Sequence, residues 1–182
     1  MTNVKAILAV ALVAAVTACS NQDPDVLHDP NIPSGAQEVT MAPVGGTQVQ
    51  VPNGNADFTN TYFYSGFKEP ARLVIRDQQA WASAWATLMK PNPGASGPPI
   101  VDFSSEMVIL AAMGERNRGG FGIDMTEAAL ASDALYVSVL ETSPGVSCVT
   151  TDAITSPVAL TRVARYDGEV KFSENARTTD CR

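Results

Sequence analysis

Seven consecutive apolar residues, Met107 to Met113, end abruptly at Gly114-Glu115. The run is too short for a buried helix of ordinary length and lacks the alternation of a strand with one wet face, so it reads as a central strand covered on both sides. Strand patterns surround it. Phe121-Gly122-Ile123-Asp124-Met125, Leu135 to Leu140 and Val158 to Ala164 alternate with period two, and Val170 and Phe172 mark a short last strand. Upstream, Leu73-Val74-Ile75 is a short strand, and Thr47 to Val51 and Phe58 to Tyr64 flank the turn chemistry of Pro52-Asn53-Gly54-Asn55 as a hairpin or edge pair. Turns fall at Asn117 to Gly120, Ser143-Pro144-Gly145 and Asp167-Gly168. Only one stretch has helical period: Trp81, Trp85, Leu88 and Met89 recur at i, i+4, i+7 and i+8, Asp77 can cap the helix, and Pro91 and Pro93 end it. The expected class is α+β dominated by β, a twisted antiparallel sheet of sandwich- or roll-like form with one main amphipathic helix.

The first eighteen residues belong to a different category. Lys5 precedes an uncharged apolar run, Ala6 to Ala15, well short of the roughly 20 apolar residues a membrane span requires. It reads as a signal-peptide core. Val16-Thr17-Ala18-Cys19-Ser20 resembles the lipobox of bacterial lipoproteins, in which small residues allow the cysteine thiol to be acylated and the leader removed. Residues 1–18 are therefore expected to be a lipoprotein signal peptide and Cys19 the lipidated new terminus. Ser20 in place of Asp resembles the outer-membrane sorting signal of bacteria with two membranes. The expected location is the bacterial cell envelope, lipid-anchored.

The 182 residues carry a formal net charge of −7. From Ser20 to Phe67 there is no Lys or Arg, while Asp23, Asp25, Asp29, Glu38 and Asp57 contribute −5. Residues 19–46 hold Pro24, Pro30, Pro33 and Pro43 among small polar residues and read as an acidic tether, because such composition buries too little apolar surface to offset chain entropy. Its expected r.m.s. reach is about 25 to 35 Å. His28, the sole histidine, is expected to be solvated within it. Residues 47–182 are the expected folded domain. Acidic balance without clustered Lys and Arg disfavours a nucleic-acid partner.

Three cysteines leave one over after pairing. With Cys19 lipidated, Cys148 and Cys181 are both exported and are expected to oxidise to a disulfide, a pair of free buried thiols being the alternative. The two lie too far apart for a CxxC redox motif, and no histidine accompanies them for zinc. No cofactor or metal is implied. A single histidine in the tether also excludes Ser-His-Asp and Cys-His catalysis. Carboxylate chemistry survives as a weaker reading, with Asp102, Glu106, Glu115 and Asp124 as candidates for a glycosidase-like pair. Trp81 and Trp85 could serve a sugar or small-ligand pocket, although their helical spacing favours the core.

Gly114 to Ile123 should connect a hairpin, with Gly119 and Gly120 at positive φ and Glu115 paired to Arg116 or Arg118. Glu115, Arg116, Arg118 and Phe121 also form a basic and aromatic tip, a candidate contact loop for a partner.

Tyr64-Ser65-Gly66-Phe67, Leu73 to Asp77, the Trp81 and Trp85 pair, Val101-Asp102-Phe103-Ser104, Gly114-Glu115-Arg116 with Gly119-Gly120-Phe121, Glu141 to Gly145 with Cys148, and Thr155-Ser156-Pro157 together resemble the PrcB C-terminal family. The resemblance runs from about Phe58 to Cys181. The family's namesake is a lipoprotein subunit of a bacterial surface protease complex, held to stabilise the protease without being one. The resemblance therefore implies a non-catalytic envelope module that binds and stabilises another envelope protein, a protease among the options, and it supplies no catalytic residues.

Overall fold

The computed structural model describes residues 28–45, 60–92 and 94–181. In chain order the elements are β1 (Gln37–Glu38), β2 (Asn60–Tyr62), β3 (Ala71–Ile75), α1 (Gln78–Leu88), β4 (Glu106–Ala112), β5 (Gly122–Leu130), β6 (Leu135–Pro144), β7 (Val158–Ala164) and β8 (Val170–Thr179). They form two four-stranded sheets, ordered β2-β7-β4-β3 and β1-β5-β6-β8. The α+β, strand-dominated class with one helix is as the sequence implies. The expected strand Thr47 to Val51, like Cys19, lies outside the described residues.

β4 shows why the fold is layered. Alternate side chains Met107, Ile109 and Ala111 point into one core with Ile123, Met125, Val137 and Val139 of the second sheet. Val108, Leu110 and Ala112 point the other way, into a core with Trp81, Ala84, Trp85 and Leu88 of α1. The continuous apolar run is thus a strand with a protein layer on each face, and every residue from Met107 to Ala112 is fully buried. α1 starts where expected, the Asp77 carboxylate accepting from Ala80 N at 2.8 Å. Its two indoles meet edge to face, 5.3 Å between centroids, and donate to Pro99 O and Ser96 O. Trp81 and Trp85 are core.

Three expectations are corrected. β4 and β5 do not form a hairpin. β4 has β7 on one side and β3 on the other, so no edge of it is free for the next strand, and residues 113–121 cross to the second sheet. Nor is that sheet wholly antiparallel: β6 pairs with β8 in parallel from Leu135↔Val170 to Pro144↔Thr179. Between them the chain passes through β7 in the other sheet, which reverses its direction twice and lets β8 return beside β6 with the same sense. β6 runs through Ser143-Pro144, and β8 is ten residues long rather than a short end piece.

The third correction concerns the tether. Residues 28–45 pack on the domain: β1 pairs with β5, Ala42 bridges Arg162, and Ile32, Met41 and Val44 are buried. The anchor is polar. Asp29, 5% exposed, receives Asn31 N at 2.9 Å and Asn175 Nδ2 at 2.7 Å, while Asn31 Nδ2 donates to Ser173 Oγ. His28 is exposed but bonds Glu127 at 2.8 Å, and Glu127 also accepts from Asp29 N. Burial alone would raise the Asp29 pKa, but hydrogen bonds from Ser138, Asn31, Ser173 and Asn175 outweigh it and hold the carboxyl well below the usual range. Hydrogen bonding to an outer sheet face, not hydrophobic burial alone, orders a segment that composition assigns to a linker.

Candidate partner-binding surface

One end of the sandwich gathers three connections: 63–70 between β2 and β3, 113–121 between β4 and β5, and 145–157 between β6 and β7. Backbone hydrogen bonds join them. Ser156 N donates to Phe63 O, Arg116 and Thr155 exchange two bonds, and Gly119 N donates to Thr151 O. The Ser156 hydroxyl receives Ser65 N at 2.7 Å and donates to Ser65 O at 2.8 Å, both serines being buried. Glycine is required at two points. Gly114 has φ +79°, and a Cβ there would lie 2.9 Å from Lys68 O; Gly120 has φ +87° against Pro144 and Thr150. Gly119, expected at positive φ, is instead a close approach, since a Cβ would collide with the Thr151 hydroxyl.

The disulfide closes this end. Cys148 is bonded to Cys181, Gly145 N donates to Thr179 O, and Ser147 Oγ donates to Cys181 O. The bridge fastens the start of the 145–157 connection to the end of β8. In the chain-entropy description a loop of this length contributes roughly 3 to 4 kcal/mol.

Electrostatics tie the two sheets together beside it. Arg72 of β3 grips Glu174 of β8 through both ends of its guanidinium, at 2.8 and 2.7 Å, and reaches Glu141 of β6 at 2.9 Å. Arg116 approaches the other oxygen of Glu141 at 3.9 Å. The expected pairing of Glu115 with Arg116 or Arg118 does not form, because Arg116 turns toward Glu141 across the sheet and Glu115 points to solvent. Arg116 and Arg118 lie over the Phe121 ring, 5.8 and 5.9 Å from its centroid. Three of the four contact-loop residues therefore form one cluster and Glu115 stands apart.

What the sequence did not reveal is the exposed apolar side chains on the connections bonded to the one that carries that cluster. Six large hydrophobic side chains are exposed among the described residues, and five lie on two of the joined connections: Phe63 and Tyr64 on 63–70, and Val146, Val149 and Ile154 on 145–157. Val146 and Val149 are wholly exposed. The expected turn Ser143-Pro144-Gly145 touches only the start of 145–157, and it is the pairing of that connection with 113–121 and with Phe63 that brings the side chains to one end.

Residues 107–164, from Met107 in β4 to Ala164 at the end of β7, match the family described as PrcB C-terminal. The chain carries a PrcB C-terminal-like domain. No curated protein and no solved structure matches it. The match takes in β4, β5, β6 and β7 and two of the three connections just described. The PrcB-like segment thus includes the Arg116, Arg118 and Phe121 cluster and four of the strands beneath it.

Of the four candidate carboxylates, Asp102 and Glu106 share one turn, Glu106 N donating to Asp102 O at 2.8 Å, while each is engaged by its own partners; Glu115 and Asp124 lie elsewhere. Asp102 precedes β4 and is held low by hydrogen bonds from Ser104 and Ser105. Glu106, at the start of β4, pairs with Arg162 at 3.0 Å. Glu115 is beyond the other end of that strand, past the turn at Gly114. Asp124 is in the other sheet, on β5. The two indoles are packed inside the core among the described residues, Trp81 wholly buried and Trp85 9% exposed. An open groove of about 370 Å³ beside α1 is walled by β3 and by Ala80, Ser83, Ala84 and Thr87, and neither indole lines it. Among the described residues no cluster of three His, Cys, Asp or Glu is placed to hold a metal, and no helix is long and apolar enough to cross a membrane.

Proposed function

We propose that this chain is a lipid-anchored, non-catalytic envelope protein whose PrcB C-terminal-like domain binds and supports another envelope protein. The observation that carries the proposal is the gathering of five exposed apolar side chains on two connections, 63–70 and 145–157, that are hydrogen-bonded to each other and to the 113–121 connection carrying the arginine cluster. Isolated exposed hydrophobics need no explanation, whereas several at one end of a domain favour a protein contact. The surroundings suit such a contact. Arginine stacked on an aromatic ring offers a flat, partly apolar surface with unspent hydrogen-bond donors, a composition favoured at interface centres. The disulfide and the Ser65 and Ser156 exchange hold the connections in place, which lowers the entropy cost of binding.

Cys19 supplies the anchor in this proposal. A photo-crosslinking residue placed at Val149 or Ile154 of the full chain in its native envelope should give one shared heavier species, and the same residue at Ala82 on the exposed side of α1 should give none. Crosslinking from Ala82 alone would overturn the assignment of the surface. Mass spectrometry of the intact protein should find acyl chains on Cys19; an unmodified cysteine would remove the anchor.

A further inference from the structure

The packed segment 28–45 changes how far the domain can stand from a membrane. A tether running to residue 46 would leave the domain free to turn in any direction. Asp29 is instead fixed to β6 and β8 through Ser138, Ser173 and Asn175, and His28 to Glu127 of β5. Only nine Cα-to-Cα steps separate Cys19 from His28. Fully extended they reach about 30 Å. A domain of this size is about 35 to 40 Å across.

The layers run in a fixed order: α1, then β2-β7-β4-β3, then β1-β5-β6-β8, then the segment carrying Asp29. If α1 faced the bilayer, the leash would have to span the whole thickness of the domain, which exceeds its length. We propose that the outer face of the β1-β5-β6-β8 sheet, with residues 28–34 lying on it, faces the lipid surface and that α1 faces away. This inference rests on acylation of Cys19. The occupant is a hydrated headgroup surface, not the hydrocarbon core: the Asp29 cluster is polar, Lys171 and Asp133 pair there at 2.7 Å, and among the described residues five of the six exposed large hydrophobics are at the end of the sandwich. That end then lies to the side, open to a partner in the same membrane.

The test uses the full acylated chain in vesicles of phosphatidylethanolamine and phosphatidylglycerol with a quencher on the headgroup. A fluorophore is attached through an unnatural amino acid at Ser34 or at Ala82, both exposed. Quenching at Ser34 should exceed that at Ala82 several-fold. Inserting twenty Gly and Ser residues after Ser20 should bring the two sites to equal quenching. Equal quenching at native length, with mass spectrometry finding lipid on Cys19 in the same sample, overturns the orientation and leaves the anchor standing. Absence of lipid on Cys19 overturns both.

Discussion

Both outer faces of the two-sheet sandwich are covered, but by different means. α1 covers the β2-β7-β4-β3 sheet with Trp81, Ala84, Trp85 and Leu88, and the contact is dispersion and burial with two indole hydrogen bonds. Residues 28–33 cover the β1-β5-β6-β8 sheet with a buried carboxylate and a set of neutral donors. The first cover is cooperative with the fold, since removing it would expose a strand that is apolar on both faces. The second is local. It caps a sheet whose inner face already owns a complete apolar core, and it can be weakened without emptying that core.

Truncating the helical cover should have the largest effect. Trp81→Ala deletes a wholly buried side chain at the centre of the α1 core and should cost about 3 to 5 kcal/mol. Urea denaturation should show one transition moved to lower urea, by intrinsic fluorescence and by circular dichroism alike. A loss under about 1 kcal/mol would mean that α1 is as dispensable as the polar cover, and the contrast would fail.

The two covers also differ in how visible they are in sequence. A helix stripe at i, i+4, i+7 and i+8 is a pattern within one element, and a fully apolar run demands two covered faces, so α1 and β4 could be read from their own residues. The PrcB resemblance was readable for the same reason, because its motifs are local. Asp29 gives no such signal. Its partners are Ser138, Ser173 and Asn175, more than a hundred residues away, and each is an ordinary polar residue on a strand. Long-range pairing hid the rest as well. Nothing in Glu115 or Arg116 alone says that Glu141 from another strand will capture the arginine. Likewise, nothing in Val146, Val149 and Ile154 says that their connection will be hydrogen-bonded to those that carry Phe63 and Phe121.

Asp29→Ala should cost less, about 1 to 3 kcal/mol, the usual range for losing a buried hydrogen-bond acceptor and stranding its donors. Its distinguishing result is where the damage goes. Proteolysis of the native protein should accelerate within residues 28–36 before any cut in the sheets, because the segment opens as a unit while the core stays closed. Uniform sensitivity across the chain would mean that the segment and the core unfold together.

Acid should separate the two covers by a smaller margin, and its direction follows from the carboxylate. Asp29 has a folded pKa below that of the unfolded chain, whose ordinary value is 3.8, so its contribution is fully present above that value and is lost as pH falls through the folded pKa. The gap in stability between the wild type and Asp29→Ala should therefore be constant near neutrality and narrow as the pH is lowered from about 4 toward 2. The gap between the wild type and Trp81→Ala should not respond, since no group in that contact titrates there. Denaturation of the three proteins at matched ionic strength across this range provides the measurement. If the Asp29→Ala gap stays flat, the carboxylate holds the segment by shape and not by charge; if it widens, protonation occurs in the folded state first and the hydrogen-bond account of its low pKa is wrong.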